Sequence, residues 1–160
     1  MKLLSKLAVM LLLAALPLSS AVMAVAKGDQ APSAKDKCPV CGMFVAKYPE
    51  WTASVTIENG SRLYFDGVKD MFSFLQQPEK YLSGKAKSTI TAVTVKDYYS
   101  LKNINGKDAF FVTGSDIKGP MGAELIPFAT KKDADGFMKD HRGKRVFRFG
   151  EVTMKVLKEL

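Results

Sequence analysis

The residues with the most chemistry per position are Cys38-Pro39-Val40-Cys41-Gly42-Met43, which set two thiols and a thioether within one short segment. Proline and glycine at this density make a tight turn, and such turns aim side chains and backbone N–H groups at a common point. Thiolate and thioether sulfur are soft donors that favour Cu(I) over hard cations. A closed tetrahedral zinc site would need a second cysteine pair, which this chain lacks. Three uses of the segment remain open: handling of a soft metal, with Cu(I) first; a thiol–disulfide exchange pair, Cys38 and Cys41; and a plain structural turn. Redox Cys-x-x-Cys motifs usually open a helix that depresses the thiol pKa, and Phe44, Val45, Tyr48 and Pro49 do not read as a helix start. Stapling explains little, because a disulfide closing so short a loop removes little chain entropy.

A second candidate is Gly119-Pro120-Met121-Gly122, a turn that sets a methionine between residues too small to bury it. Its thioether would complete a Cu(I) site with Cys41 and Met43; a loop methionine tucked onto the core fits the composition equally well. Met71 and Met138 fall on apolar helical faces and read as packing. His141 is the chain's one histidine. It reads as a surface residue near a helix C-terminus, where partial positive charge suits the macrodipole and Gly143 can end the turn. A blue-copper centre wants two histidines with a cysteine, so that class is excluded. With no serine-histidine-acid set, phosphate loop or paired-carboxylate motif, the chain does not read as an enzyme.

The elements that position these residues can be read from periodicity. Ala53, Val55 and Ile57 alternate onto one face, Asn59-Gly60 reads as a two-residue hairpin turn, and Arg62 to Phe65 returns. Asp66 is placed to cap the next helix, where Val68, Met71, Phe72 and Leu75 recur at helical spacing until Pro78. Thr89 to Tyr98 alternates as a further strand. The order then repeats: strands over Ala109–Thr113 and Ala123–Phe128, a helix capped by Thr130 and running through Lys139, and a strand over Arg145–Val152. The fold class expected is α+β, two tandem β-β-α-β units sharing one core.

Lys2 and Lys6, the apolar run from Leu7 to Leu18 and the small residues ending at Ala26 have the three regions of a secretory signal. Residues 1–26 are therefore expected to be a cleaved signal peptide, 27–37 a flexible leader, and 38–160 one domain. The apolar run is short for a membrane span. No cysteine lies at the cleavage region to carry a lipid, so the mature protein is expected to be soluble and periplasmic. The formal charge of +8 includes the two signal lysines. The remaining positives, among them Lys85, Lys87, Lys96, Lys102, Lys107, Lys131 and Lys132, are scattered rather than gathered in a tract, which argues against nucleic acid.

Several segments resemble one known family: Cys41-Gly42-Met43 after a signal peptide, Tyr64-Phe65-Asp66 running into Val68-Lys69-Asp70-Met71-Phe72, and Val112-Thr113-Gly114-Ser115 followed by Gly119-Pro120-Met121-Gly122 and Ile126-Pro127-Phe128. Together they are similar to the nitrous oxide reductase accessory protein (NosL) family over most of the mature chain. The resemblance implies a periplasmic Cu(I)-binding metallochaperone, often a lipoprotein, built from two β-β-α-β units. Such a protein would deliver copper to apo nitrous oxide reductase or a similar copper enzyme, with the help of a membrane ABC-type complex. The family's Cys-x-Met falls on Cys41 and Met43, and its glycine-flanked loop methionine on Met121. Cys38 is then an optional or exchange ligand, and the chain a monomer or weak homodimer. The opening half also resembles small treble-clef metal domains, which usually place further cysteines at the strand-helix junction; here that junction reads Phe65-Asp66-Gly67. The rival to copper delivery is a periplasmic thiol-disulfide oxidoreductase using Cys38 and Cys41.

Overall fold

The structure is a computed structural model that describes residues 30–82 and 89–160. The expected signal segment, its cleavage site and residues 27–29 of the leader lie outside the described residues. Among the described residues, no helix is long and apolar enough to cross a membrane.

Two small antiparallel sheets carry the fold. The first contains β1 (Ala53–Ile57), β2 (Arg62–Phe65), β3 (Ile90–Lys96) and β4 (Asn103–Asn105), in the order β2-β1-β3-β4. The second contains β5 (Phe110–Thr113), β6 (Ile126–Phe128) and β7 (Arg145–Arg148), in the order β6-β5-β7. Between β2 and β3 run the helix α1 (Val68–Gln76) and the short α2 (Pro78–Tyr81); between β6 and β7 runs α3 (Lys131–Asp140). Each unit thus puts its first strand in the middle, flanks it with its second and third, and places a helix between those two. This is the α+β tandem arrangement expected from the sequence. It is extended by β4 and by α4 (Met154–Lys158).

Local details differ from the reading of the sequence. The first hairpin has a three-residue loop rather than a two-residue turn. Ile57 N–H bonds Ser61 O at 3.0 Å and Gly60 N–H bonds Ile57 O at 2.8 Å. Of the two turn residues only Gly60 has positive φ (+77°), whereas a type I′ turn needs it at both. The segment after β7 leaves the sheet as a single 3-10 turn, Phe149–Glu151, so the strand stops at Arg148 rather than reaching Val152. Thr130 does cap α3, its hydroxyl accepting from Asp133 N–H at 3.1 Å. Residues 30–37 hold to the domain: Gln30 O accepts from Tyr64 Oη at 2.7 Å, and Lys37 pairs with Phe44 across an isolated bridge.

The core joins the units through β5. Because side chains alternate along a strand, Phe111 enters the larger cluster with Val55, Phe65, Met71, Phe72 and Val95, while Val112 faces the smaller one with Phe128, Ala134 and Phe137. Phe72 of α1 meets Phe111 edge-on at 5.1 Å between centroids, an arrangement that favours aromatic pairs. Val152 and Val156 close the larger cluster from the C-terminal end. Asp97, at the end of β3, ties the units through polar bonds: its Oδ2 accepts from Ala129 N–H at 2.8 Å, beside a Tyr98 N–H to Pro127 O bond of 2.9 Å.

Candidate metal centre

The cysteine segment folds as a closed knuckle. Lys37 and Phe44 pair at its base, Cys38 N–H bonds Met43 O at 2.8 Å, and Gly42 N–H bonds Cys38 O at 2.9 Å. Gly42 has φ +79°, a left-handed conformation that costs an L side chain about 1–2 kcal/mol. After the knuckle comes one 3-10 turn, Val45–Lys47, where the sequence suggested no helix at all. A turn of that length supplies no helix N-terminus to activate a thiol.

Opposite the knuckle stands the junction of β2 and α1. The N-cap of α1 is Gly67, with no side-chain cap. Asp66 therefore does not cap the helix as expected; its carboxylate turns to the cysteines. Cys41 Sγ donates to Asp66 Oδ1 at 3.2 Å, and Cys38 Sγ donates to Asp70 Oδ2 at 3.3 Å. One ligand atom from each of Cys38, Cys41, Asp66 and Asp70 lies within 4.8 Å of the others. The second pair that a four-ligand site needs is present after all, as carboxylates rather than thiols. Sequence reasoning missed it because Asp66 and Asp70 each had an ordinary use, one as a cap and the other on the helix. Their separation of one helical turn astride a strand-helix junction was the available signal.

Burial sets the electrostatics. Cys38 is 1% exposed, as is Asp66, while Cys41 is half-buried. Asp66 Oδ2 is a buried oxygen with no hydrogen-bond partner, and leaving such an atom desolvated and unpaired costs about 1–3 kcal/mol. Burial pushes the Cys38 thiol well above the usual range, with Asp66 and Asp70 adding to the rise and the backbone N–H groups of Cys41 and Val40 opposing it. Cys41 is pushed up to about 12 by burial and by Asp70 and Asp66, against the N–H of Met43. Both cysteines are free thiols, each donating to its own carboxylate.

Met43 is half-buried in the knuckle itself. Met121 is 48% exposed on a loop pinned to the first turn of α1, where Lys69 Nζ donates to Met121 O at 3.3 Å and Ala123 O at 3.0 Å. The buried Glu124 completes the pin, its Oε1 accepting from Lys69 N–H at 2.5 Å and Leu125 N–H at 2.9 Å. His141 stands apart, its Nδ1 3.1 Å from Asp116. Cys38 and Cys41 are thus brought together with two acids, Met43 shares their loop, and the Met121 loop is fastened to the helix that carries Asp70.

Comparison with known proteins bears on this arrangement. A family model described as NosL matches residues 29–157. Copper-binding lipoprotein NosL of Stutzerimonas stutzeri is 29% identical over 125 residues, which are 78% of this chain and 65% of that protein. The present chain therefore spans about two-thirds of the length of the curated relative it matches. The crystal structure of the copper chaperone NosL from Shewanella denitrificans superimposes with a TM-score of 0.68 at 30% identity, covering 81% of this chain and 98% of that one. The solution structure of apo-NosL from Achromobacter cycloclastes gives a TM-score of 0.49 at 24% identity, over 66% and 87% of the two chains. With the family model spanning both units and the knuckle, this chain belongs to the NosL family.

Proposed function

We propose that this protein is a Cu(I)-binding metallochaperone. The observation that carries the reading is the convergence of the Cys38 and Cys41 thiols in one rigid knuckle, each already bonded to a carboxylate. A relative described as a copper chaperone with the same fold supports it. Copper is cargo here, taken up and given away. Cys41 and Met43 hold it from the knuckle and Met121 from the pinned loop, with Cys38 as the further ligand or exchange partner. Asp66 and Asp70 orient the thiols, and they are the first acceptors for the protons that the sulfurs must shed.

The same geometry speaks against thiol-disulfide exchange. An exchange cysteine needs an exposed, low-pKa thiolate; Cys38 is buried, and both thiols are pushed upward. Release by ligand swapping suits the layout better, because half-buried Cys41 and exposed Met121 are open to an incoming donor while Cys38 is not. Delivery to apo nitrous oxide reductase or a similar copper enzyme, through a membrane ABC-type complex and outside the cytoplasm, completes the proposal. A cleaved signal and a mature chain without a lipid anchor belong to it. Anaerobic Cu(I) titration against a chromophoric competitor tests the binding step. Cys41→Ser and Met43→Ala should each weaken binding by about tenfold or more; parental affinity in both would sink the proposed site.

A further inference from the structure

A cleft of about 340 Å³ opens where the two units meet, and none of the residues lining it belongs to the metal centre. Trp51, Tyr98, Tyr99 and Leu101 wall it, with the buried Val68 and Pro127 and the exposed Glu50. Among the described residues four large apolar side chains are exposed, and two of them, Tyr99 at 51% and Leu101 at 50%, belong to this cleft. Aromatic side chains gathered around a concavity, with a few polar groups, are the usual make-up of a ligand site.

The loop that presents them is braced. Asp97 Oδ1 accepts from Ser100 N–H at 2.8 Å and from its hydroxyl at 2.7 Å, and Leu101 N–H bonds Asp97 O at 2.9 Å. Leu101 is held at φ +57°, a left-handed conformation that a bulky residue rarely adopts. Strain of this kind persists where surrounding bonds over-determine it, and ligand clamps are one such place.

The chemistry of the walls selects the ligand. Aromatic rings present negative faces, and three of them line the cleft with a carboxylate. Among the described residues, the Glu50 carboxylate has no hydrogen bond or ion pair. Desolvation pushes the Tyr99 hydroxyl up first, and the charges of Asp140 and Asp133 push it further, so the field at this wall is negative. One cation shares the lining. The Lys96 ammonium is tied to Leu101 O at 3.4 Å and Asn103 Oδ1 at 3.1 Å, which leaves its carbon stem as wall. An anion would meet ring faces and a carboxylate, and a hard metal ion would find a single carboxylate where it needs several oxygens. An alkylated ammonium offers apolar surface to the cleft and diffuse charge to the rings.

We propose that this cleft is an aromatic cage for a small quaternary ammonium compound, with Trp51, Tyr98 and Tyr99 against the methylated nitrogen and Glu50 supplying the countercharge. Binding forms no covalent bond and uses none of the sulfurs or acids of the metal centre, so it stands or falls apart from the copper reading.

Trp51 is the chain's one tryptophan, so its fluorescence and its indole N–H resonance report on the cleft directly. The test is titration of the reduced, metal-free full chain with choline and, in parallel, with the uncharged alcohol in which carbon replaces the choline nitrogen. Choline should give saturable shifts and bind about fivefold tighter than the alcohol, or more. Glu50→Gln and Tyr99→Leu change exposed side chains, should leave far-ultraviolet dichroism unchanged, and should each weaken choline binding by about threefold or more. No saturable indole shift up to about 50 mM choline overturns the proposal. Equal affinity for the alcohol overturns the choice of a cation, and unchanged choline affinity in both variants overturns the placement. Phosphatidylcholine vesicles carry the same ammonium group, and the protein should not sediment with them. Co-sedimentation that free choline competes away would assign the cage to a lipid headgroup and overturn the small-molecule reading.

Discussion

Each cysteine in the knuckle is desolvated and also faces an acid, and those surroundings, burial first, govern how metal affinity responds to pH. With Cys41 held up to about 12 and Cys38 also raised, chiefly by burial, both sulfurs are protonated at neutral pH in the metal-free protein. Metal must displace every proton it replaces, so affinity rises with pH. The rise is about tenfold per pH unit for each thiol displaced. A slope near two decades per unit for Cu(I) between pH 6 and 8 would make Cys38 a ligand, about one decade would leave Cys41 alone, and a flat profile would contradict thiolate binding. The conformation of the loop matters as much as its sulfurs. Gly42→Ala meets no neighbour but must adopt φ +79°, so it should cost about 1–2 kcal/mol in urea unfolding, and it should weaken copper binding by loosening the knuckle. Of this site, the sulfurs were legible from spacing alone. The acids were not, because a lone Asp beside a helix start is far more often a cap, and only the positions of β2 and α1 show that Asp66 turns the other way.

At the level of elements, the pin between the Met121 loop and α1 is where stability and site geometry meet. Glu124 is 3% exposed and fills the space beside Gly67 and Gly119, so a methyl group added at Gly67 would run into its carboxylate. Burial pushes Glu124 up to about 7 from 4.5, against the N–H groups of Leu125 and Lys69 and the Lys69 charge. The folded state therefore holds a proton that the unfolded chain has lost, and stability contributed by this group is full below about pH 4.5 and is lost as pH rises through about 7. Chemical denaturation of the metal-free protein should show the parent losing on the order of 3 kcal/mol relative to Glu124→Gln between pH 4.5 and 7.5; parallel profiles would refute this. Asp97 acts in the opposite sense. Burial would raise it, but the hydroxyl and N–H of Ser100 and the N–H groups of Ala129 and Tyr99 outweigh that and hold it below the ordinary carboxylate value. Its contribution is present at neutral pH and fades only as pH falls through that lowered value.

The strands and helices with clear periodicity were readable from sequence, and the exceptions have physical causes. β4 is a three-residue edge strand, Asn103–Asn105, with both asparagines exposed, so it carries no hydrophobic alternation. The end of β7 was overrun because Phe149 and Val152 continue an apolar pattern through a 3-10 turn whose Glu151 carboxylate accepts from Arg148 N–H at 2.6 Å. α4 is a five-residue helix that exists by packing Val156 into the larger cluster, a contact invisible along the chain.

Across the whole molecule, two hydrophobic clusters meet at β5, and the packing there ties the two units together. Phe111 of the second sheet sits fully buried among first-unit residues, and half-buried Trp51 of the first unit packs on the smaller cluster beneath α3. Phe111→Ala should therefore cost about 3–5 kcal/mol and destabilise both units together. Trp51 fluorescence and far-ultraviolet dichroism should give coincident urea transitions before and after the substitution, whereas separated transitions would show that the units unfold independently. Within the molecule the knuckle is held against the start of α1 by the Cys41–Asp66 and Cys38–Asp70 hydrogen bonds, while Met121 is exposed on its own loop. The most direct test of the account is X-ray absorption on the protein loaded with one equivalent of Cu(I) under anaerobic conditions. A first shell made of sulfur alone is the predicted result, and a shell dominated by oxygen or nitrogen, or failure to retain the metal, would contradict it.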